Sequence, residues 1–480
     1  MKLKWAVTMI NIGFSIPSVA VRSARRGIGS VNPLVWFDPS DLRTLFQDGA
    51  GIAPVTGPGQ RVGLMLDKSD SLVRGPNVVT DGDFSESGTH WATNGSTALV
   101  DKGVRIYSLD GSYSNVAQAN VLTIGKWYIV EYTVAAYGFG SLTISGMPGN
   151  PSLPVTVGRH SILLQTTVEY LSIKRRSGPA DVTIADLSVR EIAGHHAVQS
   201  LNTGYRPTLA RHPASGIRNL LDNSPTFEGW NENAGILSAS TLVAKEFEMV
   251  KLTARAGQNG LTFVDLPTTA EEFQTGTFSI IAAAAEYPIL HFTGGSGFAA
   301  SRGAFEVDLT TGAVLSGTPI VQDVGRGLYR VSTQLNCTGS GDKSLQIQPR
   351  EHMGVDVTGD GVKGIFLGQA QLELGAVATP YQNRRNRYDI TETGERTLWY
   401  LLDDQVEDKF VTSFPDLKSD ATEFWADETG ITIKGAQTIG AGDRVLPGRA
   451  RLYSYGITDR PLTAPETAQL RCSLSLKSLT

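Results

Sequence analysis

One motif occurs twice in this chain of 480 residues, and each copy begins a long stretch with the pattern of β-strands. The copies are residues 77–84, NVVTDGDF, and residues 219–223, NLLDN. A turn rich in Asn, Asp and Gly, followed by an aromatic pair and then by short strands, is typical of the start of a β-sandwich. Internal repetition therefore predicts two related modules. We expect the aromatic pair of each copy to be structural and to fill the core of its own module: Phe84 with Trp91, and Phe227 with Trp230.

Composition favours an all-β chain without a nucleic-acid partner. The chain is too long for one core, and 52 Gly against 6 Met argue against helix bundles. The formal charge of -5 provides no large basic field for binding nucleic acid. The two cysteines, Cys337 and Cys472, form no disulfide framework, and we expect free thiols in a protein assembled in a reducing cytoplasm.

The N-terminal segment, residues 1–30, is similar in part to an export signal, with basic residues before an apolar run at 5–14. The run is interrupted by Thr8, Asn11 and Gly13. We therefore expect an uncleaved arm that docks on a partner. Nowhere else does the chain approach the ~18 to 20 apolar residues that cross a bilayer, so no membrane span is predicted.

The repeat predicts four parts of the chain: the N-terminal arm, two modules and one discontinuous domain. The first module is placed at residues 76–192 and the second at 217–383. The segments outside them, 31–75, 193–216 and 384–480, are each too short to fold alone but together have the size of one domain. We predict a discontinuous domain, in which a strand near 35–37 shares a sandwich with strands after residue 398.

A short helix is predicted near the C-terminal end of the chain. Thr463 has the character of an N-cap, with Pro465 in the first turn and Glu466 at the third position. This capping box predicts a helix that runs to about Lys477, after a strand at 451–457.

These segments resemble proteins of tailed-phage virions. The discontinuous domain resembles a concanavalin-like or laminin-G-like sandwich of phage fibre and tail proteins, at residues 35–48, 54–56, 62–69, 194–199, 205–208, 401–408, 437–440 and 462–470. The two modules resemble carbohydrate-binding jelly rolls, most specifically at residues 312–314, 323–331 and 368–375, with Tyr381. The resemblance implies an all-β fold of several sandwich domains with a short arm and a short C-terminal helix.

The same resemblance implies a structural virion protein, assembled in the host cytoplasm. The expected role is a tail fibre, spike or other appendage that contacts host glycans or joins neighbouring virion proteins. The alternatives are a head fibre or capsid decoration and, in another class, a polysaccharide-degrading depolymerase. We expect the arm to attach to other virion proteins and the protein to form a homo-oligomer, with a trimer favoured as in most fibres.

Catalytic motifs of the common hydrolase and nucleotide-binding classes are missing from the sequence, which favours a non-enzymatic protein. The densest acidic cluster, residues 403–408, is interpreted as a solvated turn rather than as a catalytic pair. We expect no cofactor, with a structural calcium ion at Asp356 and Asp360 as an alternative, because both offer oxygen ligands. The pair His195 and His196 lies in a crossover between domains, and we expect it to have no chemical role.

Sugar recognition requires exposed aromatic rings next to polar groups that bind hydroxyls. Three aromatic residues lie near charged or glycine-rich turns and are the candidate ligand-binding residues: Trp425, Tyr113 and Tyr137.

Overall fold

The structure, a computed structural model, describes residues 27–479 except 70–71, 87–88, 148–149, 200–202, 245–246, 267–272, 299–302, 338–342 and 404–408. The described residues form 34 strands, one α-helix and three short 3-10 helices. The predicted all-β class with a short C-terminal helix is confirmed. No helix in the described part of the chain is long and apolar enough to cross a membrane.

The chain begins with the 3-10 helix Gly27–Val31, β1 (Val35–Phe37), the 3-10 helix Leu42–Thr44, β2 (Leu45–Phe46) and β3 (Leu64–Met65). The first module contains β4 (Arg74–Asn77), β5 (Ala92–Asn94), β6 (Ala98–Val100), β7 (Gly103–Ser108), β8 (Asn115–Gln118), β9 (Trp127–Phe139), β10 (Leu142–Ile144), β11 (Gly158–Gln165), β12 (Leu171–Arg175) and β13 (Ala180–Ile192). Between the modules lie β14 (Ala197–Val198), the 3-10 helix Thr203–Tyr205 and β15 (Thr208–Pro213).

The second module contains β16 (Gly235–Ala244), β17 (Phe247–Ala254), β18 (Thr262–Leu266), β19 (Phe273–Ala284), β20 (Ile289–Gly294), β21 (Phe305–Asp308), β22 (Ala313–Ser316), β23 (Ile320–Gly325), β24 (Leu328–Cys337), β25 (Lys343–Arg350) and β26 (Gly364–Leu374). The chain then continues through β27 (Gln382–Asn386), β28 (Asp389–Glu392), β29 (Thr397–Leu402), β30 (Val411–Phe414), β31 (Lys418–Asp427), β32 (Gly430–Ile439), β33 (Gly442–Val445), β34 (Arg451–Thr458) and the helix α1 (Ala464–Ser475).

Strands from both ends of the chain lie in the same sheets. An eight-stranded sheet has the order β27-β28-β15-β29-β34-β31-β32, with β1 paired to β34 so that Val35 lies opposite Ile457. A five-stranded sheet has the order β2-β3-β14-β30-β33. One hydrophobic core contains side chains from both sheets, including Val35, Met65, Phe414 and Tyr455. We refer to these two sheets and α1 as the discontinuous domain.

The last residues of the expected arm, 27–30, belong to this domain, which corrects the boundary at residue 30. Residues 1–26 lie outside the described residues. Ile28 and Val31 are buried and pack with Leu470 and Leu474 of α1. Their spacing of three residues places both side chains on one face of the 3-10 helix, where the helix α1 covers them.

The two modules share one strand order. The first has a sheet β11-β9-β13-β7-β6, with β4 on β13, and a second sheet β10-β12-β8-β5. The second module repeats the first order as β24-β19-β26-β17-β16 and three of the four strands of the second order as β20-β25-β18, and it adds β21, β22 and β23 at the edges. Each closing strand carries a bulge near a residue with positive φ, Asp186 in β13 and Gln369 in β26. The repeated motif therefore begins two copies of one topology.

The repeated aromatic pairs occupy equivalent places in the two cores. The ring centroids are 5.0 Å apart for Phe84 and Trp91 and 4.6 Å apart for Phe227 and Trp230. All four side chains are buried, and each indole Nε1 donates to the backbone carbonyl of an aspartate in its own motif. Both phenylalanines have positive φ, 57° and 58°. Aromatic pairs of this kind stabilise a fold by more than the burial of their apolar area alone.

The modules meet the discontinuous domain through different contacts. In the first module, Trp127, Ile129 and Leu163 pack against Leu64 and Leu66 in an apolar cluster. The second module is joined by ion pairs, among them Arg218 Nη2 to Glu392 Oε1 at 2.7 Å. Because the sheet that contains β9 and β11 faces the discontinuous domain, the four-stranded sheet of the first module faces the other way.

Candidate functional site

The four-stranded sheet of the first module, β10-β12-β8-β5, has apolar residues on one side and small or polar residues on the other. Val116, Leu171 and Ile173 are buried in the module core. Because side chains alternate along a strand, the neighbouring residues Ala117 and Ser172 lie on the opposite side. We call this second side the outer face.

The register of the sheet arranges the outer face in rows. One row contains Ser172, Ala117 and Ala92, which lie opposite one another on β12, β8 and β5. These side chains are short, so the row forms a low floor. The next row contains larger polar residues, Thr143, Lys174, Asn115 and Asn94. Ser172, Thr143 and Asn115 are buried, so the outer face is open mainly at the alanines and at Asn94.

A shallow groove runs beside the alanine floor. Its volume is about 630 Å³, and it is lined by Ala92, Ala117, Ala119, Asn120, Ile124, Thr167, Val168, Glu169 and Tyr170. The side chains of Tyr170 and Ile124 are 44% and 58% exposed, although both are large and apolar in part. An aromatic ring that is exposed beside a concave surface is typical of a binding site rather than of a core.

The groove offers groups suited to binding a saccharide. The face of the Tyr170 ring can pack against the apolar side of a pyranose, while the amide of Asn120, the hydroxyl of Thr167 and the carboxylate of Glu169 can bind hydroxyl groups. Among the residues that line the groove, Glu169 is the one carboxylate. The lining therefore does not contain the facing carboxylate pair that glycoside hydrolysis uses.

Trp425, expected to be an exposed ligand-binding residue, is buried, and that prediction is wrong. Its side chain is 3% exposed, and its Nε1 donates to Asp427 Oδ2 at 2.9 Å. Lys434 Nζ and the Arg449 guanidinium carbon lie 4.9 and 5.5 Å from the ring centroid. Trp425 lies opposite Tyr455 on the neighbouring strand, and both side chains point into the sandwich core.

The other two candidates, Tyr113 and Tyr137, are exposed in the first module, at 50% and 46%. Neither lines the groove. Tyr113 follows Ser112, whose carbonyl accepts from Arg175 Nε, and Tyr137 donates its hydroxyl to Gly140 O at 3.3 Å. Sequence reasoning missed Tyr170. The available signal was the alternation in the sequence of polar Tyr170, Ser172 and Lys174 with apolar Leu171 and Ile173.

The candidate calcium ligands have protein partners. Asp356 Oδ1 accepts from Arg350 Nη2 at 2.7 Å, and Asp360 Oδ1 accepts from the backbone N–H groups of Val362 and Lys363 at 2.9 and 2.8 Å. Within the described residues, no group of three or more His, Cys, Asp or Glu side chains could hold a metal ion. Of the acidic cluster at 403–408, all but Asp403 lies outside the described residues.

The histidine pair belongs to a buried junction around Asp67. The carboxylate of Asp67 accepts from the backbone N–H groups of Trp36, Ser69 and His195 at 2.8 to 2.9 Å. The Asp67 N–H donates to His196 Nδ1 at 3.0 Å. Burial lowers the pKa of His196 to about 3, with the nearby charge of His195 adding to the effect. Burial raises the pKa of Asp67. These bonds join three distant segments, which is a structural role.

The two cysteines are free thiols, with Cys337 buried and Cys472 exposed.

Comparisons with known proteins give weak likenesses. No family model matches the chain, and no curated protein matches it. The N-terminal CBM22-1-CBM22-2 tandem domain of Xyn10C from Paenibacillus barcinonensis is 10% identical, covers 64% of this chain and 100% of its own, and has a TM-score of 0.23. A structure of manganese lipoxygenase of Gaeumannomyces graminis with part of zonadhesin of Komagataella pastoris is also 10% identical, covers 77% of this chain and 99% of its own, and has a TM-score of 0.13. The fold assignment rests on the strands and sheets of this chain.

Proposed function

We propose that this protein is a non-enzymatic surface protein of a tailed-phage virion, a tail fibre, spike or similar appendage, that binds host-surface glycans through the groove of its first module. The observation that carries the proposal is the exposed ring of Tyr170 beside the alanine floor, in a groove of about 630 Å³. The virion role is supported by the resemblance of residues 31–480 to phage virion proteins.

The exposure of Tyr170 favours a role in ligand binding over a role in stabilising the sandwich. A residue that only stabilises the sandwich would bury its ring, as Trp91 does, whereas Tyr170 leaves nearly half of its side chain exposed. A shallow open groove also suits a polymer that extends beyond it at both ends. Each such contact is weak, so attachment would depend on several copies acting together.

A homo-oligomer, most simply a trimer, would supply those copies. The arm at the start of the chain would then hold the oligomer on other virion proteins. Deleting residues 2–26 should leave the sandwiches folded and prevent incorporation into particles. Normal incorporation of that truncation would count against this role of the arm.

Two other functions remain as outcomes of the tests. A head fibre or capsid decoration would be located on the capsid in a reconstruction of the intact particle, whereas a fibre or spike would be located on the tail. A depolymerase would release new reducing ends from host polysaccharide at a rate that depends on the protein. Glycan binding without such release supports the proposal.

The direct test measures binding of the full chain to an array of purified bacterial capsular polysaccharides and O-antigens. Tyr170→Ala should weaken binding at least about tenfold, because aromatic stacking is a major part of such contacts. Tyr137→Ala is the matched control, since Tyr137 is similarly exposed in the same module but lies outside the groove lining. Loss of binding in Tyr137→Ala, with wild-type binding in Tyr170→Ala, would place the site elsewhere.

A further inference from the structure

Three consecutive basic residues, Lys174, Arg175 and Arg176, lie at the end of β12, on or beside the outer face. None of them forms an ion pair with a carboxylate among the described residues. Other basic residues of the first module do form such pairs, including Arg105 with Asp181 and Lys126 with Glu191, both at 2.7 Å. A protein with a net charge of -5 thus keeps three adjacent positive charges without a protein counter-charge here.

Backbone carbonyl groups hold the two arginines. Arg175 Nε donates to Ser112 O, and Arg176 Nε donates to Asn150 O. A carbonyl group fixes a guanidinium in place but does not neutralise its charge. The arginines therefore contribute a fixed positive field at this end of the outer face.

Lys174 lies within the outer face itself, between Thr143 on β10 and Asn115 on β8. Both neighbours carry a buried side-chain oxygen without a hydrogen-bond partner, Thr143 Oγ1 and Asn115 Oδ1. The amide nitrogen of Asn115 donates to Ser172 Oγ at 3.0 Å, which holds the amide in its orientation. Both neighbours are uncharged, so no carboxylate lies beside Lys174 in this row of the sheet.

The groove and the basic residues lie at the two ends of β12. Tyr170, which lines the groove, comes just before the first residue of the strand, and Lys174 is the fourth residue of the strand. The two are four positions apart in sequence, so their Cα atoms lie at most about 14 Å apart. One extended ligand can therefore contact the ring of Tyr170 and the ammonium group of Lys174 together.

We propose that the ligand of the outer face is an acidic polysaccharide, whose sugar rings lie along the groove beside Tyr170 and whose carboxylate or phosphate group is bound by Lys174. An ammonium group binds such an anion through a charge-assisted hydrogen bond, and Arg175 and Arg176 strengthen the field around it. This inference rests on the proposed function and specifies the class of glycan.

A single-stranded nucleic acid also combines stacking rings with phosphate charge. The face favours a saccharide, because Glu169 lines the groove and would repel a backbone that carries a phosphate at every unit. Nucleic acid is therefore an outcome to be tested.

The test uses the full chain on an array with four kinds of probe: capsular polysaccharides that contain uronic acids, capsular polysaccharides that contain phosphate, uncharged O-antigens, and oligothymidylate. Wild type should prefer one of the two acidic classes, and which one identifies the anion. Lys174→Gln should weaken that binding about tenfold or more, while Lys174→Arg should retain most of it because the charge remains. Lys102→Gln, which changes an exposed lysine of the same module, is the matched control.

Two further measurements follow on the same array. Raising the salt concentration should weaken binding of wild type more than that of Lys174→Gln. Chemical reduction of the carboxyl groups of a bound uronic-acid polymer should lower wild-type affinity to that of Lys174→Gln.

The outcomes separate this inference from the proposed function. Preference for uncharged O-antigens, lost in Tyr170→Ala and unchanged in Lys174→Gln, would overturn the acidic ligand and leave the proposed glycan-binding function standing. Preference for oligothymidylate would overturn both in favour of nucleic acid. Absence of binding to every polysaccharide would also overturn both.

Discussion

Acidification should destabilise the discontinuous domain through His196. Its imidazole is 3% exposed, accepts the Asp67 N–H at Nδ1 and packs against Trp127, with ring centroids 5.2 Å apart. A protonated ring could not accept that hydrogen bond at Nδ1, and its charge would be buried without a carboxylate bonded to it. The folded domain therefore holds His196 in its neutral form.

The size of the effect follows from the pKa of His196, which is lowered from 6.5 to about 3, chiefly by burial. Below pH 6.5 the unfolded chain binds a proton that the folded chain excludes. The stabilisation is thus complete above about pH 6.5 and is lost as the pH falls toward 3. Between about pH 8 and about pH 5, linkage gives a loss of about 2 kcal/mol from this group.

Other groups titrate over the same range, so the measurement is a difference between two proteins. Burial also lowers the pKa of His212, which adds to the loss, and raises the pKa of Asp67, which opposes it. His196→Gln keeps a hydrogen-bond acceptor near Asp67 and removes the proton. The measurement is urea unfolding at both pH values, monitored by hydrogen exchange of peptides covering 64–69 and 195–199. From the higher to the lower pH, the free energy of unfolding of the wild type should fall by about 2 kcal/mol more than that of the variant.

His90→Gln changes a partly exposed imidazole on the first module and serves as the matched control. Equal losses in wild type and in His196→Gln would refute the reasoning, because they would show that His196 takes no part in the pH dependence.

Three further predictions concern the packing of the cores and the cap of α1. Trp91→Ala and Trp230→Ala should each destabilise their own module by about 3 to 5 kcal/mol in thermal or urea unfolding, since each removes a buried ring; melting unchanged in both would show that the indoles are not structural. Gly456→Ala should destabilise the discontinuous domain, because the new Cβ would lie 2.3 Å from a Phe424 ring atom, whereas Gly435→Ala meets nothing within 4 Å and should be neutral. Thr463→Ala should cost about 1 kcal/mol of stability at the start of α1, measured by exchange of its first turn.

Local patterns in the chain were enough to predict the repeat, the two modules and the C-terminal helix. The capping box at Thr463 and Glu466 is present as predicted, since a cap depends only on residues within one turn. The same holds for the aromatic pairs, whose partners lie ten or fewer residues apart in sequence and whose backbone is set by the local turn. Boundaries were less accurate, because Ile28 joins the domain only when α1 lies beside it.

The groove could not be predicted in this way. Ala92, Ala117 and Tyr170 come together only because β12, β8 and β5 are neighbours in one sheet. Alanines carry no signal of binding, and Tyr170 in isolation is not distinguishable from a core residue. Trp425 shows the converse, since acidic neighbours in sequence favoured exposure while its position opposite Tyr455 places the ring inside.

By itself, the sequence determined the all-β class, the duplicated motif and the C-terminal helix, because these depend on composition and on contacts between residues close along the chain. The tertiary structure decided which strands are neighbours, which side of each sheet meets the discontinuous domain and which side is left exposed. Those choices depend on long-range pairing, such as Val35 with Ile457, whose free energy comes from burial of surfaces that are distant in sequence. The outer face, with Tyr170 at one end and Lys174 at the other, is a product of that pairing.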